Sequence, residues 1–139
     1  MQNNIDTPSN PLDSSMFRFP YKSLVILTGT FSTLLGAAVL LGWYTHNISL
    51  IQIRPEFVPM QYNTALGFFL CGFALFFLFL DRERTAGVFG LAIMLIGGLT
   101  LIEYVWTVDL SIDQIFMHHY ITTKTSHPGR MAPNTALCF

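Results

Sequence analysis

The sequence predicts an all-α membrane protein: a transmembrane bundle of three complete helices plus the start of a fourth, built as two tandem hairpins. Three observations carry that expectation. Apolar residues make up 52% of the chain and charged residues 11%, whereas a soluble domain has roughly 25% charged residues. Three apolar runs are each long enough to cross a hydrocarbon core about 30 Å thick. Finally, Met60-Gln61-Tyr62-Asn63-Thr64-Ala65-Leu66-Gly67-Phe68 recurs as Met131-Ala132-Pro133-Asn134-Thr135-Ala136-Leu137-Cys138-Phe139, identical at six of nine positions at an offset of 71.

Residues 1–22 read as a cytoplasmic tail and interfacial segment. Positions 1–15 are polar, carry Pro8 and Pro11 and lack apolar periodicity, which predicts disorder. Phe17-Arg18-Phe19-Pro20-Tyr21-Lys22 then mixes aromatic rings with two cations, a composition suited to the headgroup level. The membrane domain covers residues 23–139. Its first helix, 24–44, spans about 31 Å at 1.5 Å per residue. Trp43 and Tyr44 mark its outer boundary. No small-residue cleavage site follows, so it is an uncleaved anchor rather than a signal peptide. Gly29, Ser32, Thr33, Gly36 and Ala37 put small residues on overlapping faces and permit close helix approach.

An external loop over 45–63 follows, with Pro55 and Pro59 opposing a continuous helix. Its segment Ile48-Ser49-Leu50-Ile51-Gln52-Ile53 fits a short surface-lying piece or a strand equally well. The second helix, 64–80, reaches the turn Asp81-Arg82-Glu83-Arg84, and a turn that short makes the third helix, 85–106, its antiparallel neighbour. Gly87, Gly90, Gly97 and Gly98 are candidate packing positions there. The second external loop, 107–133, contains Asp109-Leu110-Ser111-Ile112-Asp113-Gln114-Ile115, which loosely matches residues 47–53 at an offset of 62 and leaves about nine extra residues in this loop. Each unit holds two crossings, so the duplication is parallel rather than inverted. The fourth helix opens at 134–139, and its short length leads us to expect a fragment of a longer receptor or a truncated gene.

Orientation follows Lys and Arg. Arg18, Lys22, Arg82 and Arg84 lie on one side and Arg54, Lys124 and Arg130 on the other, with the first group hugging helix ends. This places the N-terminus in the cytoplasm. The net charge of −1 gives no nucleic-acid footprint. Cys71 and Cys138 sit in apolar segments and read as small packing residues. No phosphate-binding glycine loop, nucleophile motif, or kinase or cyclase signature is present, so no enzymatic activity, cofactor or metal is expected of this region.

Five residues are candidate ligand contacts: Asn63, Asn134, Arg54, Arg130 and Glu103. The favoured role of both asparagines is helix N-capping. In the sharper reading, two adjacent outward-facing helix N-termini, with Arg54 and Arg130 nearby, receive a small anion or carboxylate. Glu103 is the acid within a crossing, where ionisable groups are costly unless paired or hydrated. The simpler account lets it reach the interface near Trp106; otherwise Arg130 or Arg54 is its natural partner. His46, His118, His119 and His127 all belong to external loops and lack metal-ligand spacing, so a solvated loop is the favoured account.

Taken with Leu101-Ile102-Glu103-Tyr104 and Pro128-Gly129-Arg130, the doubled Asn-Thr-Ala-Leu motif resembles the N-terminal membrane region of bacterial signalling proteins. These are sensor histidine kinases and diguanylate cyclases, whose PAS, kinase or GGDEF modules follow the membrane part. The resemblance covers residues 24–139. It implies a sensory input module in the bacterial inner membrane, partnered by the lipid bilayer and a small-molecule or membrane signal, and dimeric through the full-length receptor. The alternatives are a small transport or channel subunit, and a haem- or metal-binding membrane protein using the external histidines.

Overall fold

A computed structural model describes residues 18–52, 54, 57–107, 117 and 129–139, with side chains from residue 21 onward. The elements are α1 (Arg18–Thr45), α2 (Ile48–Ile51), α3 (Tyr62–Phe79), α4 (Glu83–Trp106) and α5 (Pro133–Cys138). The fold is all-α, and the described residues contain no strand. Three segments, Tyr21–Thr45, Tyr62–Phe79 and Glu83–Trp106, are long and apolar enough to cross a bilayer. The chain is a multi-pass membrane protein.

The helix boundaries depart from the sequence reading at their starts. α1 begins at Arg18 rather than 24, because Pro20 falls in the first turn, where its missing N–H has no intrahelical partner to lose. The interfacial segment is therefore part of the helix. α3 and α4 each start two residues earlier than expected. Neither repeated asparagine caps its helix. Gln61 and Ala132 occupy the cap positions, and their carbonyls accept from the N–H groups of Ala65 and Ala136 at 3.1 and 3.0 Å. Asn63 and Asn134 are the second residues of their helices, after Tyr62 and Pro133, and Pro133 is well placed where a helix has orphan donors. The undecided segment after α1 is one helical turn, α2, capped by the Asn47 side chain accepting from Ser49 N–H at 3.1 Å.

α1 and α3 form the first hairpin. Contacts run from Gly29 with Gly72, through Gly36 with Ala65 and Phe69, to Trp43 with Met60. Rising along one helix as they fall along the other, they define an antiparallel pair. Glycine is required at the crossings. A Cβ on Gly36 would lie 2.5 Å from Phe69 N and 2.7 Å from the Ala65 carbonyl oxygen, and one on Gly72 would lie 2.6 Å from the Gly29 carbonyl oxygen. Ser32 Oγ adds a hydrogen bond across the pair to the Phe68 carbonyl, 2.8 Å. The expectation of small residues allowing close approach holds, and the partner helix lies within the same chain.

α3 turns into α4 through Asp81, whose left-handed φ of 57° lets Arg82 N–H reach the Phe77 carbonyl at 2.8 Å. Phe89 of α4 stacks on Phe73 and Phe77 of α3, at 5.8 and 5.5 Å between ring centroids. α5 packs on α4, the Gly97 position lying against the Ala136 carbonyl, and the Phe139 ring meets Phe68 of α3 edge-on at 5.6 Å. Leu24, Leu27, Phe31 and Leu34 of α1, and Val88, Leu91, Leu95 and Val105 of α4, point outward. That would be a hazard in water and is the natural lipid-facing surface of a spanning bundle.

Gly36→Ala and Gly72→Ala should each destabilise the bundle by roughly 1–3 kcal/mol, because the added methyl meets backbone that cannot move aside cheaply. Gly87→Ala, where a Cβ meets nothing within 4 Å, should be neutral or stabilising by up to about 1 kcal/mol. Reversible unfolding in mixed micelles measures both.

Candidate functional site

The two units are built to one plan, and the site appears where they diverge. At the C-terminal end of α1, the Trp43 indole N–H donates to the Met60 carbonyl at 3.0 Å. At the C-terminal end of α4, the Tyr104 hydroxyl donates to the Met131 carbonyl at 3.2 Å. Trp43 and Tyr104 lie 61 residues apart, and Met60 and Met131 are the opening residues of the repeated nonapeptide. At the same two offsets, 61 for the first helix and 71 for the second, Gly36 against the Ala65 carbonyl becomes Gly97 against the Ala136 carbonyl. α1 is followed by His46 at φ 55° and α4 by Thr107 at φ 51°. The left-handed residue is repeated although neither is a glycine. Tyr104 of α4 lies at Met131 and Gly97 at Ala136 and Phe139, so α5 runs antiparallel to α4 and in the same direction as α3, where the repeat-related Phe68 and Phe139 touch. The two Asn-Thr-Ala-Leu runs therefore start on one face of the bundle, as the duplication requires.

The divergence is at Glu103. Its counterpart at the 61-residue offset is Gly42, packed under Leu50 and Ile51 of α2. Glu103 is fully buried, and its Oε2 lies 3.3 Å from Arg130 Nε, with the Arg130 side chain 9% exposed. The Arg130 guanidinium also sits 5.4 Å from the centre of the Tyr104 ring, so cation–π attraction adds to the ion pair. Met131, the next residue, is buried completely and accepts the Tyr104 hydrogen bond. One turn at the end of α4 thus holds the residues leading into α5 by a charge pair, a ring and a hydrogen bond. Of the two sequence accounts of Glu103, the structure has the paired one, and the partner is Arg130.

The remaining candidates are dispersed. Arg54 is exposed between α2 and α3. Asn63 is buried at 2% exposure within the first turn of α3. Asn134 is exposed, its Oδ1 accepting from Thr135 N–H at 3.0 Å. Arg130 is committed to Glu103, which weakens the picture of two cations flanking paired helix starts for an anion. His118, His119, His127 and the 109–115 segment lie outside the described residues. His46 ends α1, and no group of three metal-ligating side chains occurs among the described residues.

Sequence reasoning overlooked Gln61. It is 6% exposed, and its buried amide oxygen has no hydrogen-bond partner among the described residues. The repeat contained the signal: the equivalent position is Ala132, so the fold itself does not need an amide there. Tyr62, beside it, exchanges a 2.9 Å hydrogen bond with the Tyr44 hydroxyl, giving the first unit its own polar outer end.

Glu103→Ala or Arg130→Ala should cost roughly 3–5 kcal/mol, since each leaves a buried charge without its ion-pair partner. The double replacement Glu103→Met/Arg130→Met should cost less than the two single losses together, as a double-mutant cycle in micelles will measure. Gln61→Met should instead stabilise by roughly 1 kcal/mol or more by removing an unmatched acceptor.

Comparison of the chain with protein-family models, curated proteins and solved structures finds no match.

Proposed function

We propose that the chain is the membrane-embedded input module of a bacterial signal-transduction receptor of the histidine-kinase or diguanylate-cyclase type, set in the inner membrane with its N-terminus in the cytoplasm. The observation that carries this reading is the Glu103–Arg130 pair. It ties the last turn of α4 to the residues that open α5, and the whole of loop 107–129 lies between those two points. A ligand or membrane property that rearranges the loop acts first on this clamp. The pair is buried, so loosening it changes the α4–α5 relation by an amount large enough to bias a two-state equilibrium of a few kcal/mol. The first hairpin, locked by backbone contacts, is the fixed frame against which α4 and α5 shift. The output is read in a cytoplasmic dimer of the full-length receptor.

Orientation is tested by cysteine labelling in intact cells. A cysteine at Asp81, in the α3–α4 turn, should resist a membrane-impermeant maleimide until the cells are opened, and one at Thr107 should react at once. The reverse pattern contradicts the assignment. Function is tested by joining the chain to a diguanylate cyclase or kinase output. Glu103→Gln and Arg130→Gln should both shift basal output in the same direction, with the protein still inserted at normal abundance. Output indifferent to both variants and to substitutions throughout the two outer loops would sink the proposal.

A further inference from the structure

At the end of the bundle where α1 begins, the three spans terminate around one space. Tyr21 opens the first span, Phe79 closes the second and Glu83 opens the third. All three residues line a cavity of about 210 Å³ between the start of α1 and the α3–α4 turn. A cavity bounded by the ends of every span lies at the headgroup level, because the hydrocarbon core reaches only as far as the spans do. Its walls divide by chemistry. Lys22, Asp81 and Glu83 supply one cation and two carboxylates, while Val25, Leu78 and Phe79 supply hydrocarbon. Arg82 and Arg84 do not line it. Lys22 shares the cavity with two carboxylates, yet among the described residues it forms an ion pair with neither. The opposite charges stand on either side of a space instead of closing it.

We infer that this cavity holds the headgroup of one phospholipid bearing a primary ammonium, a lipid of the ethanolamine type. The ammonium sits between Asp81 and Glu83, the phosphate on Lys22, and the acyl chains start along Val25 and Leu78. Charge complementarity selects this occupant. An anionic headgroup that lacks the ammonium meets two carboxylates and one cation, a net repulsion. A choline headgroup has the positive charge but no N–H, and a trimethylated nitrogen is held by the faces of aromatic rings rather than by carboxylates. A primary ammonium has three donors, and its hydrogen bonds to carboxylates are charge-assisted, roughly twice as strong as neutral ones. The phosphate of the same headgroup then gives the Lys22 point charge a partner. Size agrees with a headgroup. The cavity is smaller than the ~300–1,000 Å³ that encloses a whole drug-sized ligand, and only the headgroup has to enter, since the acyl chains stay in the bilayer. The site is formed by span ends alone, so it depends neither on which way the chain faces nor on any signalling role.

The test offers the full chain, in detergent micelles, an equimolar mixture of phospholipids with identical acyl chains and ethanolamine, choline or glycerol headgroups. Native mass spectrometry reads the lipid-bound species. The ethanolamine adduct should exceed each of the others by at least about tenfold, the factor that one charge-assisted hydrogen bond supplies. Asp81→Asn/Glu83→Gln should cut that preference to less than about twofold. Asparagine tolerates the left-handed backbone at position 81, so the α3–α4 turn is kept. Lys22→Gln should weaken the ethanolamine and choline adducts alike, because both headgroups carry the phosphate. A second measurement needs no substitution in the protein. With the unaltered chain, the adduct should weaken at each step as the lipid nitrogen gains one, two and three methyl groups and loses its donors. Equal adducts for all headgroups, a preference for the glycerol lipid, an ethanolamine preference that survives loss of both carboxylates, or indifference to N-methylation would each overturn the assignment.

Discussion

The bundle depends on how near the α1 and α3 backbones come to each other. In water, apolar side chains would drive two helices together; in lipid the surrounding chains are as apolar as leucine, and only packing and polar contacts remain. The α1–α3 contact uses both. Gly36 and Gly72 remove side chains at points where a methyl would sit 2.5–2.6 Å from the opposing backbone, and Ser32 then comes close enough to hydrogen-bond to a carbonyl of the partner helix. The first hairpin closes at its outer end through the cluster of Val39, Trp43, Ile51, Tyr62 and Ala65. α3 and α4 use a different device, with stacked phenylalanines where glycines are absent from the contact. The chain's Phe content therefore has a specific structural use as well as a lipid-facing one.

That arrangement is used twice, and the second use identifies what is structural. A glycine under an alanine carbonyl, an aromatic donor to the carbonyl of methionine, and a helix ended by a left-handed non-glycine residue recur in both units. Sequence divergence between Trp43 and Tyr104 left the hydrogen bond in place while changing the donor from an indole to a hydroxyl. What is preserved under such change is the geometry of the outer hairpin corner. Thr107 is the sharper instance, because a β-branched residue in the left-handed region is strained and persists at the place where His46 does the same.

Much of this was legible in the residues. The apolar runs fixed three helices and their antiparallel order, and the repeated nonapeptide showed that two hairpins share a direction. Two helix starts fall earlier than read because Asn is so favourable a cap that Asn63 and Asn134 drew the boundary late, by two residues in α3 and by one in α5. In the folded chain the cap carbonyls belong to Gln61 and Ala132, and Asn63 is inside the first turn. Among the four α4 glycines, composition alone could not separate Gly97, which meets α5, from Gly87, Gly90 and Gly98, where a Cβ would meet nothing within 4 Å among the described residues, since that depends on which face the neighbour occupies. The pairing of Glu103 with Arg130 was likewise one of several chemically equal options until the outer ends of α4 and α5 were placed together.

The contrast between Gly42 and Glu103 bears most directly on function. Both occupy the same place in the plan, and the first unit shows that the place can be closed by apolar packing, with Leu50 and Ile51 of α2 laid over the glycine. A buried ion pair is at best a weak source of stability compared with such packing. The carboxylate in the second unit is therefore not needed to build the corner. What it adds is a charged contact at the junction between α4 and α5, beside the Tyr104–Met131 hydrogen bond and the packing of Gly97 on α5, with the guanidinium supplied by the residues that lead into α5. The two corners are thus closed by different chemistry, one by apolar packing over Gly42 and one in part by the Glu103–Arg130 pair, and it is the charged corner that leads into α5.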